Sequence, residues 1–164
     1  MSARSPQPVT ALIAEDEAPQ RRALHEQLLQ AWPGLEIVAV CEDGVSALEA
    51  ATTHRPTVAF LDIRMPGVSG LDVARAVVEQ GGLVVFTTAY DDYAVRAFDA
   101  GAVDYLLKPV QPARLEQAVA RLRERLQERG AGADGPDLHA LIDGLESRLR
   151  PQGERLIRWI SASA

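Results

Sequence analysis

The sequence predicts an α/β fold: a doubly wound, five-stranded parallel sheet covered by helices on both faces. Three observations predict it. Short apolar runs alternate with helical patterns five times between Val9 and Glu128. The runs are continuous rather than alternating, as in strands buried on both faces. The connections are long enough for right-handed helical crossovers, which place the whole in three layers.

Val9–Ala14 reads as the first strand, and Pro19–Ala31 as the helix after it. Pro19 suits a first helical turn, and Trp32-Pro33-Gly34 stops the helix. Leu35–Cys41 and Gly44–His54 form the second pair. Val58–Leu61 and Gly70–Gln80 form the third, with Ser69 as the helix cap. Leu83–Thr87 and Asp91–Ala100 form the fourth, with acids at the positive end of the helix. Val103–Leu107 is the fifth strand. Pro112–Glu128 is the fifth helix, with Leu115, Val119, Leu122 and Leu126 on one face.

Residues 1–128 thus make one domain. Arg129–Pro136 reads as a flexible connector, within a linker over 129–154. An amphipathic helix is predicted at about 137–149, its apolar stripe packing on its own domain or on a second copy. Residues 155–164 read as the start of a further, C-terminal domain.

Composition narrows the function classes. The 164 residues are 47% hydrophobic and 24% charged, which excludes wholesale disorder. The net charge of −6 falls within residues 1–128, so there is no basic footprint for nucleic acid. No apolar run approaches the length of a membrane span, and no signal peptide opens the chain, so a cytoplasmic location is expected. The lone Cys41 and the scattered His25, His54 and His139 form no metal-ligand set. Of 17 basic residues, Lys108 is the only lysine. Arginine and lysine are not interchangeable at a tight anion site.

Ligands of doubly wound sheets bind outside the carboxyl ends of the strands. Those ends carry Glu15-Asp16-Glu17, Asp62, Thr88 and Lys108-Pro109. Three carboxylates brought together repel unless protonated or neutralised, and a hard divalent cation such as Mg²⁺ relieves the repulsion. A nucleotide or flavin site is disfavoured, because acids follow the first strand where a phosphate cradle needs amides.

From Pro8 to Glu128 the chain resembles the receiver domain of two-component response regulators. The matching text is Leu12-Ile-Ala-Glu-Asp-Glu17, Phe60-Leu-Asp-Ile-Arg-Met-Pro-Gly67, Phe86-Thr-Thr-Ala-Tyr90 and Tyr105-Leu-Leu-Lys-Pro109. The run from Phe86 to Phe98 is similar to receivers joined to LytTR-type (LytR/AlgR family) DNA-binding domains, and Ile157-Arg-Trp-Ile-Ser resembles the lead-in to one. The resemblance implies a flavodoxin-like fold with strand order 2-1-3-4-5. It implies Asp62 as phosphoacceptor, Thr88 and Lys108 as its partners, and a Lys108–Pro109 cis bond. It implies Mg²⁺ held by Asp16, Asp62 and the Arg64 main-chain carbonyl, with Glu15 acting mostly through water. Glu15 departs from the usual aspartate by one methylene. Thr88 and Tyr105 would be the switch pair, and Arg64 and Tyr90 would tune the lifetime of the phosphoryl group. The implied partners are a sensor histidine kinase, a second copy through the helix 4–strand 5–helix 5 face, and DNA through the C-terminal domain. No external substrate is expected to be turned over. A stand-alone receiver that binds a protein target is the second reading.

Overall fold

The computed structural model of the protein describes residues 8–89 and 101–134. Five parallel strands stand in the order β2-β1-β3-β4-β5: β1 Thr10–Ala14, β2 Glu36–Cys41, β3 Val58–Asp62, β4 Leu83–Thr88 and β5 Asp104–Leu107. The expected strand order is therefore observed.

The central strands show why their runs are apolar. Every residue of β3 and β4 is buried, so successive side chains feed opposite faces. Ile13, Phe60, Val85 and Leu106 pack under α1 (Ala18–Ala31) and the C-terminal helix (Pro112–Asp134). Leu12, Leu61, Val84 and Phe86 pack under α2 (Gly44–His54) and α3 (Gly70–Glu79). Between β1 and β2 the pairing slips at Ala11/Leu12, so Val38 is skipped in the register.

Local chemistry sets the helix ends. Asp43 caps α2 by accepting a 2.7 Å hydrogen bond from the Ser46 amide. Asp43→Ala is expected to lower the urea midpoint, through an orphaned amide at the helix start. Ser69 caps α3 as expected, accepting from the Asp72 amide. Two glycines allow close approach rather than a special turn. A Cβ on Gly44 would collide with the main-chain oxygen of Val68, and one on Gly70 with that of Asp62. Gly70 therefore lets α3 begin directly behind the Asp62 main chain.

Most boundaries shift by one residue, and one is corrected by more. The C-terminal helix does not end at Glu128 but runs on to Asp134, through the first six residues of the expected connector. Arg129-Gly-Ala-Gly-Ala-Asp reads as a break because glycine costs about 1 kcal/mol per position. A helix already anchored by buried Leu115, Ala118, Val119 and Leu122 needs no new nucleus, and alanines 131 and 133 favour its extension. The Arg129 guanidinium also donates to the Gly81 carbonyl. Expectations for the fourth predicted helix (91–100), Tyr90, the 137–149 helix and residues 155–164 lie outside the described residues.

Candidate functional site

Strand register delivers the polar residues to one edge. Asp62 and Thr87 are partners at the ends of β3 and β4, and Thr88 pairs with Leu107 on β5. The ladder continues past the strands: the Ile63 amide donates to the Thr87 carbonyl (3.1 Å), and the Lys108 amide to that of Thr88 (2.8 Å). On the other side, the Glu15 amide donates to the Cys41 carbonyl at 3.0 Å. The Lys108–Pro109 bond is cis.

The Lys108 ammonium reaches Glu15 Oε1 at 2.8 Å and Asp62 Oδ2 at 3.0 Å, with Glu17 Oε1 at 3.9 Å. Glu15, Asp16 and Asp62 each present one carboxylate oxygen, all within 4.8 Å of one another. Glu15 and Asp62 are buried, whereas Asp16 is exposed. The predicted acids and the lone lysine are thus brought together. Asp16 and Arg64 line an open groove of about 530 Å³ beside Met65 and Pro66. The Arg64 amide donates to Asp62 Oδ1 at 3.2 Å. Buried Thr88 lies on the neighbouring strand end, and half-buried Tyr105 packs on the α2–α3 side of β5.

Three carboxylates face one ammonium, and the crowding appears in the titration of Asp62 and Asp16. Burial pushes the Asp62 carboxyl up to about 7; a hydrogen bond with Asp16 and the charge of Glu15 add to this, and Lys108 opposes it. For Asp16, burial works upward, but hydrogen bonds with Asp62 and Glu15 prevail and hold it below the usual carboxylate range. Burial works against the Lys108 charge, yet hydrogen bonds to Glu15 and Asp62 raise it above the ordinary lysine value. Asp62, rather than Asp16, is therefore the carboxyl that takes up a proton first. The donor set of clustered hard oxygens beside an open groove fits Mg²⁺, which prefers a few carboxylates, a carbonyl and waters.

Some contacts were not foreseen from residue types. Arg21 donates from Nη1 to the Glu15 carbonyl at 2.8 Å and lies 3.7 Å from Glu42, tying the two acidic loops together. The Glu17 amide donates to Glu15 Oε2 at 3.0 Å. Asp104, Arg114 and Arg121, which lie on the strand 5 and helix 5 part of the face expected to meet a second copy, are joined within the chain. The buried Asp104 carboxylate accepts from Arg114 Nη2 at 2.6 Å and Nη1 at 2.9 Å, and pairs with Arg121 at 3.1 Å. Arg114 also donates to the Tyr105 carbonyl at 3.1 Å, which fixes the main chain of the expected switch residue. The i,i+7 spacing of Arg114 and Arg121 on one helix face was the available signal.

A parallel sheet in this order, with three acids and a lysine at its carboxyl edge, defines a receiver domain. Residues 11–120 match the family model for the response regulator receiver domain, and the chain belongs to that family. A response regulatory protein of Vibrio cholerae is 43% identical over 159 residues, covering 96% of this chain and 60% of that protein. The transcriptional regulatory protein BtsR of Escherichia coli is 44% identical over 117 residues, covering 71% of this chain and 48% of BtsR. The chain thus spans about half to three fifths of the curated relatives it matches. Among solved structures, the receiver domain of AraT, a response regulator from Geobacillus stearothermophilus, superposes with a TM-score of 0.69 at 37% identity, covering 76% of this chain and 99% of that one.

Proposed function

We propose that this domain accepts a phosphoryl group on Asp62 from a sensor histidine kinase, and that the modified state alters the assembly and output of a LytTR-type DNA-binding domain. The single observation that carries the reading is Lys108, which bridges Asp62 and Glu15 with the Asp16 carboxylate alongside. The relatives named as regulators, one of them a transcriptional regulator, support the placement in signalling.

Asp16, Asp62 and the Arg64 carbonyl would hold Mg²⁺, with Glu15 behind them. When bound, the ion supplies counter-charge to the carboxylates and to the transferring phosphoryl oxygens. Asp62 uses a carboxylate oxygen to form the new P–O bond as the bond from phosphorus to the donor histidine nitrogen breaks. Lys108 releases its Asp62 contact and pairs with a phosphoryl oxygen, while Thr88 donates its hydroxyl to another. Tyr105 then turns inward toward the space that Thr88 leaves, biasing a population rather than creating a new state. Arg64, which lines the groove beside Asp16, would shield the group from water and so lengthen its lifetime; the same tuning role is proposed for Tyr90. The domain turns over no external substrate in this scheme.

Incubation with Mg²⁺ and acetyl phosphate, followed by intact mass, tests the reading. One phosphoryl adduct is expected on the native chain and none without Mg²⁺; an adduct that forms equally in excess chelator removes the metal from the scheme. Mg²⁺ should also raise the unfolding midpoint more at pH 8 than at pH 5, because Asp62 must lose its proton to bind it. An equal shift at both values would show that the ion binds elsewhere. Phosphorylation is expected to favour a dimer through the helix 4–strand 5–helix 5 face. Light scattering with and without beryllofluoride checks this, and identical masses at high concentration would reject it.

A further inference from the structure

Behind Lys108, on the side of the sheet under α1, lies a cavity of about 120 Å³ lined by Glu15, Gln20, Gln27, Thr87, Lys108 and Val110, with aliphatic neighbours. Three buried side-chain atoms among the described residues make no hydrogen bond to any protein group: Gln20 Oε1, Gln27 Oε1 and Thr87 Oγ1. All three belong to residues lining this one cavity. Gln20 and Gln27 are seven residues apart and so share a face of α1. The Gln27 amide nitrogen donates to the Val110 carbonyl at 3.4 Å, which leaves its oxygen as the acceptor to be satisfied. Thr87 is 1% exposed, on the face of β4 that it shares with Val85, under α1.

Buried polar groups in native proteins find partners, and water is the partner where a site is both polar and roomy. Apolar cavities of this size stay dry; one edged by three acceptors and a carboxylate does not. At roughly 30 Å³ per molecule the space takes about four waters. The Lys108 ammonium has three N–H donors. Two are engaged by Glu15 and Asp62, while Glu17 at 3.9 Å is beyond hydrogen-bond reach. We propose that the cavity is a structural water site: a cluster of ordered waters that donates to Gln20, Gln27 and Thr87, accepts the third N–H of Lys108, and so positions the ammonium from the side away from Asp62. The site belongs to the resting protein and does not depend on phosphoryl transfer.

The test uses the full 164-residue chain without Mg²⁺ or a phosphodonor, so its failure leaves the phosphoacceptor reading untouched. Lys108 is the only lysine, so its ammonium signal in ¹⁵N NMR is unambiguous. Cross-relaxation from a long-lived water to this ammonium and to the Thr87 methyl is expected in the native protein. Thr87→Val should abolish the Lys108 water cross-peak and lower the unfolding midpoint by about 2–4 °C, since it deletes hydrogen bonds to water at near-constant shape. A dry cavity gives the opposite pattern. Thr87→Val then leaves the midpoint unchanged or raises it, no water cross-peak appears, and pressurised xenon shifts the Ala23 and Val110 methyl signals. Any of these results overturns the proposal.

Discussion

Asp62→Asn is expected to abolish phosphoryl uptake completely and, without Mg²⁺, to make the folded protein more stable at neutral pH. The loss follows because an amide oxygen is no nucleophile toward phosphorus, and the neighbouring Asp16 is held in its ionised form by hydrogen bonds without the Lys108 contact that Asp62 has. The gain follows from linkage. The Asp62 carboxyl is raised to about 7 in the folded chain, against 3.8 ordinarily. The native state therefore binds the extra proton between those values, and stability falls as pH rises from about 4 through 7. Asparagine removes that penalty, while Lys108 keeps Glu15 as its partner. A gain of about 1–2 kcal/mol at pH 8, shrinking to nothing below pH 4, is expected from urea titrations. A gain independent of pH would mean that the benefit does not come from the carboxylate charge. With saturating Mg²⁺ the order should reverse, because the native chain binds the ion and the variant loses a ligand.

Lys108→Met is expected to have the largest effect in the other direction. Its side chain is 9% exposed, and its ammonium is the cation within reach of both buried acids. Methionine has a similar length and no charge. It removes the ammonium that buried Glu15 and Asp62 share, and losing one partner of a buried pair costs about 3–5 kcal/mol. The cost should appear at pH 8, ease toward pH 5 as Asp62 takes up a proton, and be partly offset by Mg²⁺. Lys108→Arg restores the charge but not the compact point contact with two carboxylates, so it should recover stability better than phosphoryl uptake. Denaturation at the two pH values, beside intact-mass assays, separates these outcomes. A pH-independent loss for Lys108→Met would point to packing rather than charge.

The fold was readable because the central strands are continuously apolar up to their carboxyl ends, a pattern that a half-exposed strand does not show. α2 was readable to the residue, since Asp43 caps one end and Arg55, at φ 46°, closes the other in a left-handed conformation. β5 was placed one residue early: Val103 keeps a 2.7 Å hydrogen bond to the Val84 carbonyl without belonging to the strand. The C-terminal helix was cut short because glycine propensity speaks for an isolated peptide, not for a helix extended from a packed stem. In the site, Glu15, Asp16, Asp62 and Lys108 were visible because each lies at or just past the carboxyl end of a strand, where topology alone brings residues together. The pairings of Asp104 with Arg114 and Arg121 were not. Sequence displays charges but not which of several partners lies within 3 Å, and the same residues served equally well as an imagined contact between copies. Gln20 and Gln27 carried no signal, and Thr87 only that of a strand end; their shared cavity is what makes them notable.

The length of the last helix has a mechanical consequence. Twenty-three residues at 1.5 Å each make a rod of about 34 Å. Its first turn is bolted to β5 through Arg114 and Asp104, beside the main chain of Tyr105. A pivot of about 3° there would sweep the far tip by roughly 2 Å, by the geometry of a rod of that length. If Asp62 accepts a phosphoryl group as proposed, a rearrangement at that edge would reach Asp134 as an amplified swing, carried along one continuous helix.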